Sequence, residues 1–261
     1  IIDDLGYQRR NGLAITDLPG KLTVAVIPHT PFGAELAAAA SAAGKEVMLH
    51  LPMSSVGGGK LDRGGLTATQ SRAQFDQSLA HALDAVPSVR GVNNHMGSEL
   101  TQLVPQMDWL MQGLSRRRLY FVDSRTTALT VAAGRAAANG VPHLSRQVFL
   151  DNERTTAAIH SKFRLLLAKA MREGQAVGIG HPYPETIAYL RRALPAARCR
   201  GIRLALVSEV LPPVRQPPAA LAGTGPFSRA QGSEAYLDAV LGHIGLGLGY
   251  AVFTKVEDTG G

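Results

Sequence analysis

The sequence predicts an α/β protein folded as an irregular, distorted parallel (β/α) barrel. Three observations carry that expectation. Short apolar runs rich in Val, Ile and Leu alternate with longer segments of helical period. About eight strand–helix units fit the length, the number such a barrel needs. No strand leads into GxGxxG or GxxxxGK[ST], so the competing doubly wound nucleotide-binding sheet has no support.

The opening "II" reads as the end of a first strand, with its beginning and anything upstream cut away. "LTVAVI" at 22–27 is the second strand, and His29 follows it in "VIPHTPFG" at the rim without a specific role. A helix starts at Gly33 with "GAELAAAASAAG". "EVMLHL" at 46–51 is the third strand. "GGGKLDRGG" at 57–65 holds residues of a phosphate loop but follows a loop, so it reads as a flexible rim. A helix from Gln70, strand "VRGVNN" at 89–94, a helix from Met107 and strand "LYFVDS" at 119–124 come next. Strand "QVFLD" at 147–151 precedes a long helix from Thr155 that closes on a glycine. "AVGIGH" at 176–181 and "RLALV" at 203–207 are the last two strands. The barrel domain is therefore set at 1–212. Residues 213–261 open with "PPVRQPPAALAGTGPFS" and read as a Pro/Gly-rich linker and tail of unknown role.

Composition bounds the function. An apolar fraction of 45% supports a substantial core in 261 residues. The formal charge of +7 is spread along helices, which points to a solvated surface and away from nucleic acid. The single cysteine, Cys199, has no partner for a disulfide or a zinc motif. No apolar run reaches the roughly 18 residues of a membrane span.

The strand endings carry the chemistry. Asp3-Asp4, His50, Asn93-Asn94-His95, Asp123-Ser124-Arg125, Asp151-Asn152 and His181 each close a strand, and in a parallel fold all such ends open on one face. An aspartate after a strand is commonly a helix N-cap, the leading reading for Asp151 and an even one for Asp123. His81 and His160 lie within helices, His143 at the opposite face, and His243 in the tail. Two histidines and a carboxylate from separate strand ends are the ligand set of a catalytic divalent ion with an open position. Of the Asp3-Asp4 pair, one can bind metal while the other accepts a proton.

These blocks, "IIDDLG", "EVMLHLPM", "GVNNHMGS", "FVDSRTT", "VFLDNE" and "AVGIGHPYPET", resemble the divergent polysaccharide deacetylases, the YibQ-like branch of the NodB-type carbohydrate esterases. The resemblance covers residues 1 to about 212. It implies a distorted barrel and metal-dependent removal of acetyl groups from N-acetylated sugars, with zinc the expected ion. It assigns Asp3 as base, Asp4 and His50 as metal ligands, and His181 as the acid that protonates the departing amine. The family's second histidine ligand, four residues after the first, is replaced here by Ser54. His95, from the next strand end, is the candidate to complete the triad. Asp123 or Asp151 is expected to orient His181. Arg125 is expected to hold a carboxylate or meet substrate, and Asn93, Asn94 and Ser98 to bond sugar hydroxyls or order the ligands, although Asn in a turn is commonly turn chemistry alone.

Two other readings compete: a metal-dependent hydrolase of a different amide or ester, and a non-catalytic glycan- or peptidoglycan-binding barrel. The partner expected is a carbohydrate, with no nucleotide. A cell-envelope substrate implies a periplasmic or exported protein.

Overall fold

The computed structural model describes residues 1–199 and 201–213, together with the backbone of the strand Phe253–Lys255. The expected linker and tail over 213–261 lie, apart from Pro213 and that strand, outside the described residues.

A parallel six-stranded sheet runs in chain order: β1 (Ile2–Leu5), β2 (Thr23–Val26), β3 (Glu46–Met53), β4 (Val89–Met96), β5 (Tyr120–Asp123) and β6 (His143–Ser145). The connections hold helices α1 (Arg9–Thr16), α2 (Gly33–Ala42), α3 (Arg72–Asp84), α4 (Val104–Arg116) and α5 (Ala132–Ala138). Local chemistry sets their ends. Ser71 and Gln74 form a reciprocal capping box on α3, and Pro105 opens α4, where its missing N–H costs nothing.

The ring closes through a change of partner. β6 pairs with β5, but two residues later β7 (Val148–Phe149) pairs in parallel with β8 (Gly178–Ile179). The Arg146 N–H still donates to Asp123 O, whereas the Gln147 N–H already donates to Val177 O. β8 in turn meets β1, where the Asp3 N–H donates to Gly180 O at 2.8 Å. Since β6 and β7 share one position, the six-stranded and two-stranded ladders make an irregular barrel of seven positions. Helix α6 (Thr156–Glu173), capped by Thr155 and ended at Gly174 with φ +84°, joins β7 to β8, and α7 (Pro184–Arg198) follows.

The eighth predicted strand is a correction. Only Ile202–Leu204 (β9) is extended, and it pairs antiparallel with Phe253–Lys255 (β10), outside the barrel. Seven positions already satisfy the ring, so "RLALV" has no edge to join. Residues from Ala205 onward instead plug the end of the barrel where the strands begin. Ala205, Val207 and Val210 pack on the inward side chains Ala25, Met48, Tyr120, Val122, Leu144 and Val177. The alternate residues, among them Val24, Val47, Leu49 and Phe121, face the helices in the main core, as a period of two requires.

Glu46 fastens this plug. Its buried Oε1 accepts from Tyr120 Oη at 2.9 Å, Thr23 Oγ1 at 3.0 Å and the Ser208 N–H at 3.2 Å. Burial, reinforced by this carboxylate, pushes the Tyr120 hydroxyl well above its ordinary range. With that end filled by apolar side chains, the polar strand ends lie at the opposite, C-terminal end of the barrel. Glu46→Ala strands three donors at once and should lower stability by about 3 kcal/mol, read as a shift of the urea midpoint at unchanged slope.

Candidate active site

At the open end, three strands aim polar side chains inward. On β3 and β4, His50 lies beside Asn93 and Pro52 beside His95, so the period of two places His50, Asn93 and His95 on the same inner face. Asp3 is also inward, on β1. Asp4, one residue on, would face outward in a regular strand, but its φ is +58° and the β1–β2 register shifts between Ile2 and Leu5. That kink brings its carboxylate back to the mouth.

There, Asp4 Oδ1 lies 3.2 Å from His50 Nε2 and 3.0 Å from His95 Nδ1, and the two imidazole nitrogens are 3.1 Å apart. One ligand atom from each residue falls within 4.8 Å of the others. Each imidazole has its remote nitrogen engaged: His50 Nδ1 meets Asn93 Oδ1 at 2.8 Å, and His95 Nε2 meets Asp62 Oδ2 at 3.3 Å. Asn93 orients His50, Asp62 is placed to do the same for His95, and both rings thereby present their other nitrogen to Asp4. Asn93 also donates to Asp3 Oδ1 at 2.9 Å, so one amide orders both His50 and Asp3.

The electrostatics ask for positive charge at this point. Burial works against ionising Asp4, yet the contacts and charge of His50 and His95 outweigh it and hold the carboxyl well below the usual range. Burial likewise disfavours a charged His50, but Asp3 and Asp4 raise its imidazole to about 9. Asp4 Oδ1 is nonetheless buried without an aligned hydrogen-bond donor. An orphaned carboxylate oxygen beside two imidazole nitrogens fits a divalent cation of the zinc type, which would displace the proton that Asp3 and Asp4 otherwise favour on His50, with Asp4, His50 and His95 as its protein ligands.

The second cluster centres on His181. Its Nδ1 is 2.9 Å from Asp151 Oδ1, its backbone N–H donates to Asp151 Oδ2, and Thr186 Oγ1 donates to the same oxygen. Its Nε2 faces Asp4 Oδ2 at 3.8 Å. Burial disfavours the imidazolium, but Asp151 and the Asp4 charge prevail and raise its pKa. Phe149 and Tyr183 flank the ring at centroid distances of 5.0 and 5.2 Å.

The remaining candidates have other tasks. Asp151 is not a helix cap, since Thr155 caps α6. Asp123 does not touch His181. It accepts from the Arg125 N–H and Thr130 Oγ1, and burial raises its carboxyl. Asn94 is buried, accepts from the Ser124 N–H and donates to Met96 O, so it ties β4 to the β5 loop. Ser98 Oγ accepts from the Val56 N–H. Arg125 is exposed, and among the described residues its side chain pairs with no carboxylate. Ser54, where the resemblance lacks a histidine, holds the rim loop through its backbone, accepting from the Glu99 and Leu100 N–H groups.

Sequence reasoning missed Asp62 and the aromatic pair around His181. It offered Asn93 as a residue that orders the ligands, which its bond to His50 matches, but not its second bond, to Asp3. Because Asn93 orders His50, one of the candidate ligands, and Asp3, Asn93→Leu should weaken binding of a divalent ion, read with zinc in calorimetric titration, about 10-fold or more, with the fold retained by circular dichroism.

The chain matches the family profile described as divergent polysaccharide deacetylase over residues 1–211. An uncharacterized Haemophilus influenzae protein is 37% identical over 194 residues, which is 74% of this chain and 69% of that protein. The uncharacterized protein YibQ of Escherichia coli is 36% identical over 192 residues, 74% of this chain and 60% of its own length. A crystal structure of an uncharacterized Agrobacterium tumefaciens protein superposes with a TM-score of 0.77 at 26% identity, covering 80% of this chain and 86% of that one. The matched span holds every strand of the barrel and every residue of both clusters, and the chain belongs to the divergent polysaccharide deacetylase family.

Proposed function

We propose that this chain is a zinc-dependent hydrolase that removes N-acetyl groups from an amino-sugar polysaccharide or oligosaccharide. The observation that supports this reading is the convergence of Asp4, His50 and His95 with two further groups suited to proton transfer. Asp3 Oδ2 lies 3.7 Å from His50 Nε2, and His181 Nε2 lies 3.8 Å from Asp4 Oδ2. A binding-only barrel has little use for a base and an acid at one such point.

A divalent cation held by Asp4, His50 and His95 supplies polarisation of an acyl carbonyl and acidification of water. The protein's own groups carry the protons. Asp3, oriented by Asn93, accepts one from the attacking water. His181, held by Asp151 through Nδ1, presents Nε2 and donates its proton to the departing amine. The amide C–N bond breaks, acetate is released, and the glucosamine-type product leaves with a free amine.

A polysaccharide of the cell envelope as substrate entails export, so we place the working protein in the periplasm or outside the cell. Among the described residues no helix is long and apolar enough to cross a membrane.

Elemental analysis beside acetate release from chito-oligosaccharides tests this reading. Wild type should hold near-stoichiometric zinc and release acetate, and His95→Ala should lose both. Metal without acetate from these or other acetylated glycans would contradict the deacetylase reading. Asp3→Asn and Asp151→Asn should keep their zinc while kcat falls about 100-fold or more at little-changed KM, since each removes proton transfer and leaves binding intact.

A further inference from the structure

The loop after β3 is built into the metal centre. Its ends are joined: the Ser54 N–H donates to Leu66 O and the Leu66 N–H to Pro52 O, both at 2.9 Å. Residues 55–65 between them form a compact Ω-shaped excursion over the barrel mouth. Three contacts dock it. The Val56 N–H donates to Ser98 Oγ at 3.1 Å. Gly64, with φ +81°, packs so closely on the His29 ring that a Cβ there would lie 2.7 Å from Cδ2. Asp62 accepts a hydrogen bond from Tyr7 Oη through one oxygen and faces His95 Nε2 at 3.3 Å through the other.

The last contact has a chemical consequence. His95 offers Nδ1 to the ligand cluster, which requires its proton on Nε2, and Asp62 Oδ2 stands 3.3 Å from that nitrogen, within reach of the proton. His50 receives the same service from Asn93 on the neighbouring strand. His95 has no strand neighbour in that place, so the orienting group comes from a loop. Gly57, Gly58 and Gly64 all have positive φ, which leaves the loop little intrinsic preference for its docked shape.

We infer that Asp62 is the positioning residue for His95 and that docking of loop 55–65 is thermodynamically coupled to metal binding. This rests on the metal reading above, but needs no particular substrate. Coupling is reciprocal: if the docked loop strengthens zinc binding by orienting His95, zinc must stabilise the docked loop by the same factor. Tyr7 holds Asp62 from the other side and extends the link to the segment that carries Asp3 and Asp4.

Calorimetric zinc titration of the apoprotein, with amide hydrogen exchange over residues 55–65 before and after zinc, tests the coupling. In Asp62→Asn, zinc affinity should fall about 10-fold or more, the range for loss of a ligand's hydrogen-bond partner. Zinc should slow exchange in the wild-type loop and leave the loop of Asp62→Asn unchanged. Tyr7→Phe, which keeps the carboxylate, should show a smaller loss in the same direction. Wild-type zinc binding with Asp62→Asn within twofold of it, and the same loop protection in both, would overturn the coupling and leave the metal centre standing. A wild type that binds no zinc would overturn both.

Discussion

The site rests on one backbone constraint, the left-handed conformation of Asp4 at φ +58°. A non-glycine residue held there costs about 1–2 kcal/mol, and the compensation must come from its surroundings. Without the kink, consecutive strand residues face opposite sides, and Asp3 and Asp4 could not serve the same cavity. With it, Asp3 stays inside the barrel while Asp4 turns back over the mouth to meet both imidazoles. Gly6 completes the turn, lying so close to Thr30 that a Cβ would come within 2.1 Å of its hydroxyl. His29 and Arg125, which follow β2 and β5, and Met96, which ends β4, are likewise left-handed. Four of the six left-handed non-glycine residues among those described thus lie at the open end, and the other two, Ser88 and Arg118, precede β4 and β5.

The opposite end is built for rigidity. The 205–210 plug fills the barrel beneath the site with apolar side chains, and Glu46, Thr23 and Tyr120 satisfy the polar atoms that filling would strand. Above it, a continuous polar chain links Ser124, Asn93, Asp3 and His50 across three strands. A rotation of Asn93 would release Asp3 and His50, the proposed base and a proposed ligand, together. His181 is held separately, by Asp151 below and the Phe149 and Tyr183 rings beside it. The two clusters meet at the Asp4 carboxylate, one oxygen facing the imidazole pair and the other facing His181.

Much of this was legible in the sequence because strand ends obey a simple rule. Parallel strands open on one face, so Asp3, His50, His95 and His181 could be placed together without any contact information. The resemblance then supplied roles. What escaped depended on pairing rather than pattern. The partner change between Ser145 and Val148 closes the ring at seven positions, and no periodicity distinguishes it from one strand with one neighbour on each side. The last apolar run, 203–207, is as strand-like as the others, and only the closed ring excludes it. Asp62 sits among glycines in a segment that reads as a plain rim loop. Its meaning comes from Tyr7 and His95, which are 55 residues before it and 33 after it in sequence and adjacent only in the fold.

The central claim is that a cation completes the Asp4, His50 and His95 cluster at the mouth of this barrel. Anomalous diffraction at the zinc edge from crystals grown with zinc addresses it directly. The account predicts a single strong peak about 2.0–2.2 Å from Asp4 Oδ1, His50 Nε2 and His95 Nδ1. A peak ligated by other residues, or density showing His95 turned away with the cluster empty, would contradict it.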